Sequence, residues 1–265
     1  CPRPRHCHLP SVASTMPESI ECAESGLYTG PAYRLIREDA EHPLILVCEH
    51  ADRFIPAALN DLGLDETAAQ EHIAWDIGAL ALAEQLSETL GATLLAANYS
   101  RLLIDLNRPL HVADSIPHQS EIYQIPGNQS LDEATREYRQ RCLFHPFHDR
   151  LRALIDQRLA DNRTVRVVGI HSFTPVFYGQ PRALEAGVLF GEAKDYAQRI
   201  VDGLSRHSLR VAGNQPYKIN PSTDMTVPVH GDGRGLDSVL IEVRNDLLRS
   251  PTAVQAWSAY LAPLL

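Results

Sequence analysis

Basic residues are scarce in this chain relative to acidic ones. Its 265 residues include 24 Lys and Arg against 33 Asp and Glu, which gives a formal net charge of −9 at pH 7. Proteins that bind nucleic acids usually carry a basic surplus that meets the phosphates. The deficit argues against a nucleic-acid partner, and any site for an anion must concentrate its arginines locally.

Long apolar runs and a regular cysteine pattern are also missing. No apolar run approaches the ~20 residues that span a membrane, and the opening stretch CPRPRHCHLPSVASTM lacks the apolar core of a secretory signal. The five cysteines are odd in number and widely spaced, so they do not resemble a disulfide framework. We therefore expect a protein of the reducing cytoplasm with no membrane partner.

The remaining composition is that of a folded domain, with 44% apolar and 22% charged residues. Apolar patterning predicts strands at 44–48, 93–97, 102–106, 165–170, 187–190, 209–212 and 239–243. Helices are predicted at 76–90, at 132–161 with an interruption near Pro146, at 192–206 and at 252–264.

This alternation predicts an α/β fold of three layers, with a mostly parallel or mixed central sheet covered by helices on both faces. The first forty residues are polar and contain several prolines. We predict an N-terminal extension over 1–40 and a single domain over 41–265.

Ionisable residues mark the ends of three predicted strands. Glu49 and His50 follow the first strand, His171 follows the strand at 165–170, and Glu242 lies in the last one. Sites in α/β sheets form beyond the carboxyl ends of strands, and converging histidines and carboxylates suit a catalytic Zn²⁺ with one open position. Glu242 needs a partner or a role because it interrupts an apolar strand; an ion pair with Arg244 is the structural alternative.

Two arginines lie close together in the segment SRLLIDLNRP at 100–109. In a strand, alternation places on one face Arg101, Leu103, Asp105 and Asn107. Asp105 can then orient Arg101, and Asn107 and Arg108 follow at the strand end. Because a guanidinium matches a carboxylate in two parallel hydrogen bonds, this segment predicts an anchor for a carboxylate substrate. A purely structural Arg–Asp network is the alternative.

Taken together, several motifs resemble the N-formylglutamate amidohydrolase family over about residues 43–245. They are His50, the WDIG segment at 75–78, Arg101 with DLNR at 105–108, HSFTP at 171–175, NQPY at 214–217, His230 and IEVRND at 241–246. The resemblance implies a fold related to zinc carboxypeptidases and aspartoacylases. It also implies a role in histidine degradation.

The resemblance also implies roles for individual residues. His50 and His171 correspond to metal ligands, and Glu242 corresponds to the general base of a Glu-Leu-Arg strand. Asn107 and Arg108 resemble an Asn-Arg pair that holds the substrate carboxylate.

The third metal ligand is where the sequence departs from these relatives. They carry an acidic ligand three residues after the first histidine, and this position is Arg53 here. Asp76 is the preferred replacement because its segment carries an Asp just before a helix. Glu49 and Asp52 remain alternatives.

The expected function is hydrolysis of the amide bond of an N-formyl or other short N-acyl amino acid. The resemblance implies N-formyl-L-glutamate as substrate, with formate and L-glutamate as products. Zn²⁺, or another divalent transition metal, would bind His50, Asp76 and His171 and activate water. Glu242 would accept the proton from this water, and His230 could assist the polarised carbonyl or the leaving group.

The small substrate is expected to bind through its carboxylate to Arg108 and Asn107, with Arg101 as a further candidate. A diacid needs a second cation near its side-chain carboxylate, for which Arg53 and Arg244 are candidates. The sequence leaves the oligomeric state open, with a monomer possible.

Two alternatives compete with the metal-dependent hydrolase. Cys48 lies two residues before His50, so both side chains could share a strand face and form a cysteine hydrolase. The substitution of an acidic ligand by Arg53 also leaves open a non-catalytic protein that binds carboxylates.

Overall fold

The computed structural model of the protein describes Cys22 and residues 26–265. Most of the extension predicted over 1–40, including Cys1 and Cys7, lies outside the described residues. In chain order the strands are β1 (Tyr33–Ile36), β2 (Leu44–Cys48), β3 (Thr93–Ala97), β4 (Gln119–Ser120), β5 (Tyr123–Gln124), β6 (Arg166–Phe173), β7 (Val176–Phe177), β8 (Gln180–Pro181), β9 (Ala186–Leu189), β10 (Val211–Gly213) and β11 (Asp237–Arg244).

The longer helices are α1 (Ala79–Leu90), α2 (Glu133–Arg139), α3 (His145–Ala160), α4 (Lys194–Ser205) and α5 (Pro251–Leu261). Two π-helical segments lie at Gln140–Phe144 and Thr226–Gly231. Short 3-10 segments lie at Ala57–Gly63, Ala68–Gln70, Ala113–Ser115, Pro126–Asn128, Asp232–Arg234, Asn245–Leu248 and Ala262–Leu264. Within the described residues, no helix combines the length and apolarity required to cross a membrane.

Seven strands form the central sheet in the order β1-β3-β2-β6-β11-β9-β10. Strands β3, β2, β6 and β11 run parallel to one another at its centre. Strand β1 is antiparallel to β3 at one edge, and β9 is antiparallel to β11 near the other. The prediction of an α/β fold with a mixed central sheet is therefore confirmed, although β1 lies in the segment that was predicted as an extension.

Both faces of the sheet are covered, because alternate residues of its central strands are buried in two different cores. On one face, Ile45 and Val47 of β2 pack in a cluster that includes Phe147 and Leu151 of α3. On the other face, the neighbouring residues of β2 pack with α1, α4 and α5. Every residue of β2 is buried, which explains its uninterrupted apolar sequence.

Helix α1 begins at Ala79, three residues after the predicted start at Asp76. The residue before it, Gly78, adopts a left-handed conformation with φ of 82°. A Cβ atom at Gly78 would lie 2.5 Å from the Cβ of Leu248, so this position requires glycine for both its conformation and its space. The helix ends as predicted, with Gly91 in the left-handed conformation at its C-cap.

The predicted interruption near Pro146 is a π-helical segment, Gln140–Phe144, between α2 and α3. Its Cys142 forms a disulfide with Cys22, across 120 positions of the sequence. The expectation that the cysteines form no disulfide framework was wrong for this pair, because the fold brings together residues that are distant in sequence. The expectation of a reducing cytoplasm rested on that pattern, and the disulfide removes its support.

One predicted strand is absent. Residues 102–106 form consecutive turns rather than a strand, held by hydrogen bonds from the Leu103 amide to the Ser100 carbonyl and from the Asp105 amide to the Ser115 carbonyl. The segment is apolar because Leu102, Leu103 and Ile104 are buried. Burial without β-pairing gives the same sequence pattern as a strand, which is why the prediction failed.

Candidate active site

Three adjacent strands of the sheet bring together the ionisable residues singled out in the sequence. Glu49 and His50 directly follow β2, while His171 lies within β6 and Glu242 within β11. Because β6 and β11 are parallel neighbours, Glu242 lies directly opposite His171 in the register of the sheet. The predicted convergence at the carboxyl ends of the strands is therefore observed.

His50, Asp76 and His171 form a compact group whose potential ligand atoms all lie within 4.8 Å of one another. Asp76 Oδ2 is 3.4 Å from His50 Nδ1 and 2.9 Å from His171 Nδ1. All three side chains are buried. Two imidazole nitrogens and one carboxylate oxygen are a donor set that suits Zn²⁺ and leaves a coordination position open.

The outer nitrogen of each histidine contacts a further carboxylate. His50 Nε2 is 2.7 Å from Asp105 Oδ1, and His171 Nε2 is 2.8 Å from Glu49 Oε2. Each carboxylate favours the imidazole form that carries its proton on Nε2, and this form leaves Nδ1 able to bind a metal. Carboxylates in this outer position orient metal-binding histidines in many proteins, so the residues present fit a divalent metal.

Glu49 and Asp105 are fixed by other donors as well. The Thr226 hydroxyl donates to Glu49 Oε1, and the backbone amide of Asn107 donates to Asp105 Oδ1 at 2.9 Å. Burial alone would raise the pKa of Glu49, but the neighbouring His171 lowers it to about 2. Glu49, an alternative third ligand from the sequence, thus contacts the outer side of His171.

The two histidines beside Asp76 favour the ionised form of its carboxylate. Burial opposes ionisation, yet the adjacent His50 and His171 hold the pKa of Asp76 well below its usual range. Burial likewise disfavours charged His171, but Glu49 and Asp76 raise its pKa well above the ordinary value. These carboxylates therefore favour positive charge at this position, as a site for a metal cation requires.

Glu242 is a buried carboxylate without a fixed partner. Its Oε2 atom makes no hydrogen bond within the described part of the chain. Burial, supported by repulsion from Asp76, raises the pKa of Glu242 to about 7 although His171 opposes the shift. A carboxylate with this pKa can accept and return a proton at neutral pH, which is the requirement for a general base.

Arg101 connects the two carboxylates that surround His50. Its guanidinium lies 2.6 Å from Asp105 Oδ2 and 3.5 Å from Asp76 Oδ1. The predicted orientation of Arg101 by Asp105 is thus observed, but it arises in a turn where the two residues are i and i+4. The strand alternation that led to it was wrong.

Arg108 and Asn107 reach the same cavity from the end of this turn. Arg108 Nη1 donates to the Thr223 carbonyl at 3.1 Å and to the Asp224 carboxylate. Asn107 Oδ1 accepts from the amides of Met225 and Thr226. The residues after the turn are thus held in place by the segment at 223–226.

The cavity that contains these groups has a volume of about 560 Å³. Its floor includes His50, Asp76, His171 and Glu242, and its walls come from residues in the segments 117–121, 172–177 and 217–224. This arrangement gives a small molecule access to a potential metal position, a base and arginines within one concave space.

Comparisons with known proteins identify a matching family. The family model for N-formylglutamate amidohydrolase matches residues 42–249 of the chain. The chain belongs to this family. No match was found among curated proteins.

Solved structures extend the comparison. A gene product of Agrobacterium tumefaciens, Atu2144, is 41% identical, with a TM-score of 0.85 over 89% of this chain and 93% of that one. An N-formylglutamate amidohydrolase from Ralstonia eutropha JMP134 is 18% identical, with a TM-score of 0.61 over 89% of this chain and all of that one. At that identity the second likeness concerns the fold alone, and the finer likeness to zinc carboxypeptidases remains a prediction.

His230 does not occupy the position that sequence reasoning gave it in this amidohydrolase-family site. It is buried, does not line the cavity, and its Nε2 lies 2.9 Å from His148 Nδ1. His148 Nε2 in turn donates to the Leu106 carbonyl at 2.7 Å. The structure therefore does not bring His230 to the reacting groups, because it forms a buried pair with a histidine from α3.

Arg244 also lies away from the cavity, although it shares a strand with Glu242. Its Nε is 2.8 Å from Asp246 Oδ1, and its Nη1 donates to three carbonyls at 182–184. Arg53 is exposed and lies 6.0 Å from the Trp75 ring. Neither arginine lines the cavity, so the prediction that they supply its second cation was wrong.

Cys48 and Asp52, the other residues considered for chemistry, are not in the cavity either. Cys48 is fully buried in the core, and burial raises the pKa of its thiol well above the ordinary value. The nucleophilic form of cysteine is the thiolate, so this environment opposes a cysteine hydrolase. Asp52 forms an ion pair with Arg34 at 2.9 Å.

Sequence reasoning missed three contributors to the site: the outer-side role of Glu49, the contact of Asp105 with His50, and Thr226. The signal for Glu49 is its position directly before a candidate ligand. For Asp105 the signal is a charged residue within an apolar segment. Thr226 carries no comparable signal, because its contact with Glu49 depends on how the π-helical segment packs.

Proposed function

We propose that this amidohydrolase-family protein hydrolyses the amide bond of N-formyl or other short N-acyl amino acids, and that N-formyl-L-glutamate is its substrate. The products would be formate and L-glutamate. One observation carries the proposal. The His50–Asp76–His171 group and the unpartnered carboxylate of Glu242 lie in the same cavity, and Glu242 is the direct neighbour of His171 in the sheet.

The substrate carboxylate would bind Arg108 and Asn107. Arg108 lines the cavity, and its Nε and Nη2 make no hydrogen bond within the described residues, so they remain able to bind a carboxylate. Asp224 and the Thr223 carbonyl hold the guanidinium in place. Arg101 is committed to Asp76 and Asp105, so its role is to neutralise and position these carboxylates.

A divalent metal held by His50, Asp76 and His171 would supply Lewis-acid polarisation of the amide carbonyl and favour ionisation of water, and zinc is our choice. Glu242 accepts a proton from the attacking water molecule. It then delivers this proton to the amide nitrogen as the C–N bond breaks, so that the amine leaves neutral. Its raised pKa, about 7, suits both transfers.

Glu49 and Asp105 support the reaction without contacting the substrate. Each holds the outer nitrogen of one histidine, and this fixes the ring so that Nδ1 keeps its direction toward Asp76. Thr226 and Arg101 in turn hold these two carboxylates. Among the buried carboxylates of the residues that the structure describes, only Glu242 has an oxygen without a hydrogen-bond partner.

The proposal is tested with a panel of N-formyl, N-acetyl and longer N-acyl derivatives of glutamate, followed by NMR detection of both products. We expect N-formyl-L-glutamate to disappear with equal formation of formate and L-glutamate. Tight binding of the compound with no turnover would contradict the proposal and support a non-catalytic carboxylate binder. Turnover restricted to long acyl groups would reject the assigned substrate.

A further inference from the structure

N-formyl-L-glutamate carries two carboxylates, whereas the proposed function assigns a cationic contact to only one of them. The inference below rests on that proposed function. Of the residues described by the structure, three Lys or Arg side chains line the cavity: Arg101, Arg108 and Lys218. Arg101 is paired with Asp76 and Asp105, and Arg108 is paired with Asp224.

Lys218 differs from both arginines. Within residues 26–265 its ammonium group forms no ion pair and no hydrogen bond, and the residue is exposed. Acidic side chains also line this cavity, so an uncompensated positive charge is what a second substrate carboxylate requires there. The other cationic candidates from the sequence, Arg53 and Arg244, do not reach the cavity.

The backbone around Lys218 is held on both sides. Before it, the Tyr217 hydroxyl accepts a hydrogen bond from Arg182 at 2.9 Å, and the Arg182 guanidinium lies 4.4 Å from the Phe177 ring. After it, Ile219 is buried in a small core with Leu189 and Leu240. Lys218 is therefore a side chain on an anchored segment rather than part of a freely moving loop.

This segment also forms part of the cavity wall. Burial and the nearby charge of Glu242 raise the pKa of the Tyr217 hydroxyl, and the charge of Arg101 acts on it in the opposite direction. Tyr217 and Lys218 both line the cavity. The cation is therefore on the wall of the same space in which Glu242 and the metal-binding group form the floor.

We propose that Lys218 is the specificity-determining residue that binds the side-chain carboxylate of the substrate, and that it selects N-acyl dicarboxylic amino acids over their neutral analogues. Arg108 and Asn107 hold the α-carboxylate, and Lys218 holds the distal one. The interaction is a charge-assisted hydrogen bond from the ammonium group, and it contributes to substrate binding without taking part in proton transfer.

The sequence offers a matched control, because Lys194 is the second of its two lysines. Lys194 is exposed at the start of α4 and does not line the cavity. The experiment measures kcat and KM for N-formyl-L-glutamate and for its neutral analogue N-formyl-L-glutamine. The proteins compared are the wild type, Lys218→Gln, Lys218→Arg and Lys194→Gln.

We expect the wild type to prefer the glutamate compound, mainly through KM. Lys218→Gln should lower this preference about tenfold, which is the size of one charge-assisted hydrogen bond. Lys218→Arg should retain most of the preference, and Lys194→Gln should leave it unchanged. A wild type without preference, or a Lys218→Gln protein that keeps it, would overturn the role of Lys218 while leaving the proposed hydrolysis intact.

A wild type that releases formate from neither compound would instead reject the proposed function, and the inference with it. A second measurement avoids variants altogether. L-glutamate should slow reductive methylation of Lys218, whereas L-glutamine should not, and mass spectrometry should find Lys194 equally modified in both. Equal modification of Lys218 with the two amino acids would overturn the inference.

Discussion

A carboxylate that is buried without a hydrogen-bond partner costs stability, so its presence needs a chemical explanation. Glu242 is such a residue, and burial raises its pKa to about 7. We expect Glu242→Gln to lower kcat for N-formyl-L-glutamate by about 10²–10⁴-fold, because the amide cannot accept a proton. Formate release by the purified variant measures this, and wild-type activity would reject the base assignment.

Although Glu242→Gln should lower activity, we expect it to raise the stability of the folded protein at alkaline pH. Glu242 has a folded-state pKa above its ordinary value, so the folded protein binds an extra proton between pH 4.5 and 7 and loses stability as the pH rises through that window. Gln carries no charge at any pH. In metal-free protein, Glu242→Gln should therefore be more stable than the wild type by about 1–3 kcal/mol at pH 8, but not at pH 4.5. Urea unfolding at the two pH values measures the difference, and an equal effect at both would contradict it.

Arg108 and Arg244 provide a matched pair, since the structure places only Arg108 in the cavity. Arg108→Gln should raise KM for N-formyl-L-glutamate about tenfold with little change in kcat, because it removes a charge-assisted contact of the bound substrate. Arg244→Gln should leave KM unchanged and lower the thermal midpoint, because Arg244 donates hydrogen bonds to Asp246 and to three backbone carbonyls. The reverse pattern in steady-state kinetics would contradict both assignments.

At this scale, the sequence was most informative where a residue stands out against its surroundings. His171 and Glu242 lie within apolar strands and His50 lies just after one, and such positions can be recognised without a structure. The failures were Arg244 and His230, whose residue types suit catalysis but whose partners are distant in sequence. Asp246 and His148 decide what these side chains contact, and no spacing rule reveals those partners.

Among the elements, the turns at 100–108 matter most for the site. They carry Arg101, Asp105, Asn107 and Arg108 into the cavity although the sequence pattern indicated a strand. The strand prediction failed because burial of Leu102, Leu103 and Ile104 gives an apolar run without β-pairing. In contrast, β2 and β3 were predicted with their observed bounds, because they pair on both sides within a covered sheet.

The buried pair of His148 and His230 joins α3 to the π-helical segment at 226–231. Burial lowers the pKa of His148 to about 4 and that of His230 to about 3. Unfolded histidines bind protons near pH 6.5, so the unfolding free energy should fall as the pH drops from 6.5 toward 4, by about 1.4 kcal/mol per pH unit for each group.

His148→Gln tests this element. The side-chain amide of the introduced glutamine can still donate to the Leu106 carbonyl, but the titrating imidazole of His148 is lost. We expect lower stability at pH 7, by about 1–3 kcal/mol, and a shallower decline between pH 6.5 and 4.5 in urea unfolding experiments. His145→Gln, an exposed change at the start of the same helix, should retain the wild-type decline. Parallel curves for His148→Gln and the wild type would contradict the neutral pair.

For the whole molecule, the disulfide between Cys22 and Cys142 is the feature that the cysteine pattern did not predict. It closes a loop of 120 positions, and a loop of that length corresponds to about 4–5 kcal/mol of stabilisation in the chain-entropy model. Reductant should therefore lower the thermal midpoint of the wild type. Cys142→Ser lacks the disulfide, so its midpoint should match that of the reduced wild type whether or not reductant is present. Identical midpoints for the wild type under both conditions would contradict this contribution.

The net charge of −9 is compatible with a carboxylate substrate because it describes the whole chain and not one binding contact. Arg101, Arg108 and Lys218 line the cavity, where Arg101 pairs with Asp76 and Asp105 and Arg108 pairs with Asp224. The overall architecture could be predicted because a covered parallel sheet imposes long apolar strands alternating with helices. The arrangement of the loops around the cavity could not, because hairpin and turn contacts depend on tertiary packing.

The central claim is that His50, Asp76 and His171 hold a metal ion that hydrolysis requires. The most direct measurement is formate release from N-formyl-L-glutamate by chelated protein as Zn²⁺ is added back, with bound metal determined on the same samples. We predict negligible activity after chelation and a linear recovery that ends at one Zn²⁺ per chain, with no recovery in His171→Asn. Full activity in protein that contains no measurable metal would contradict the account.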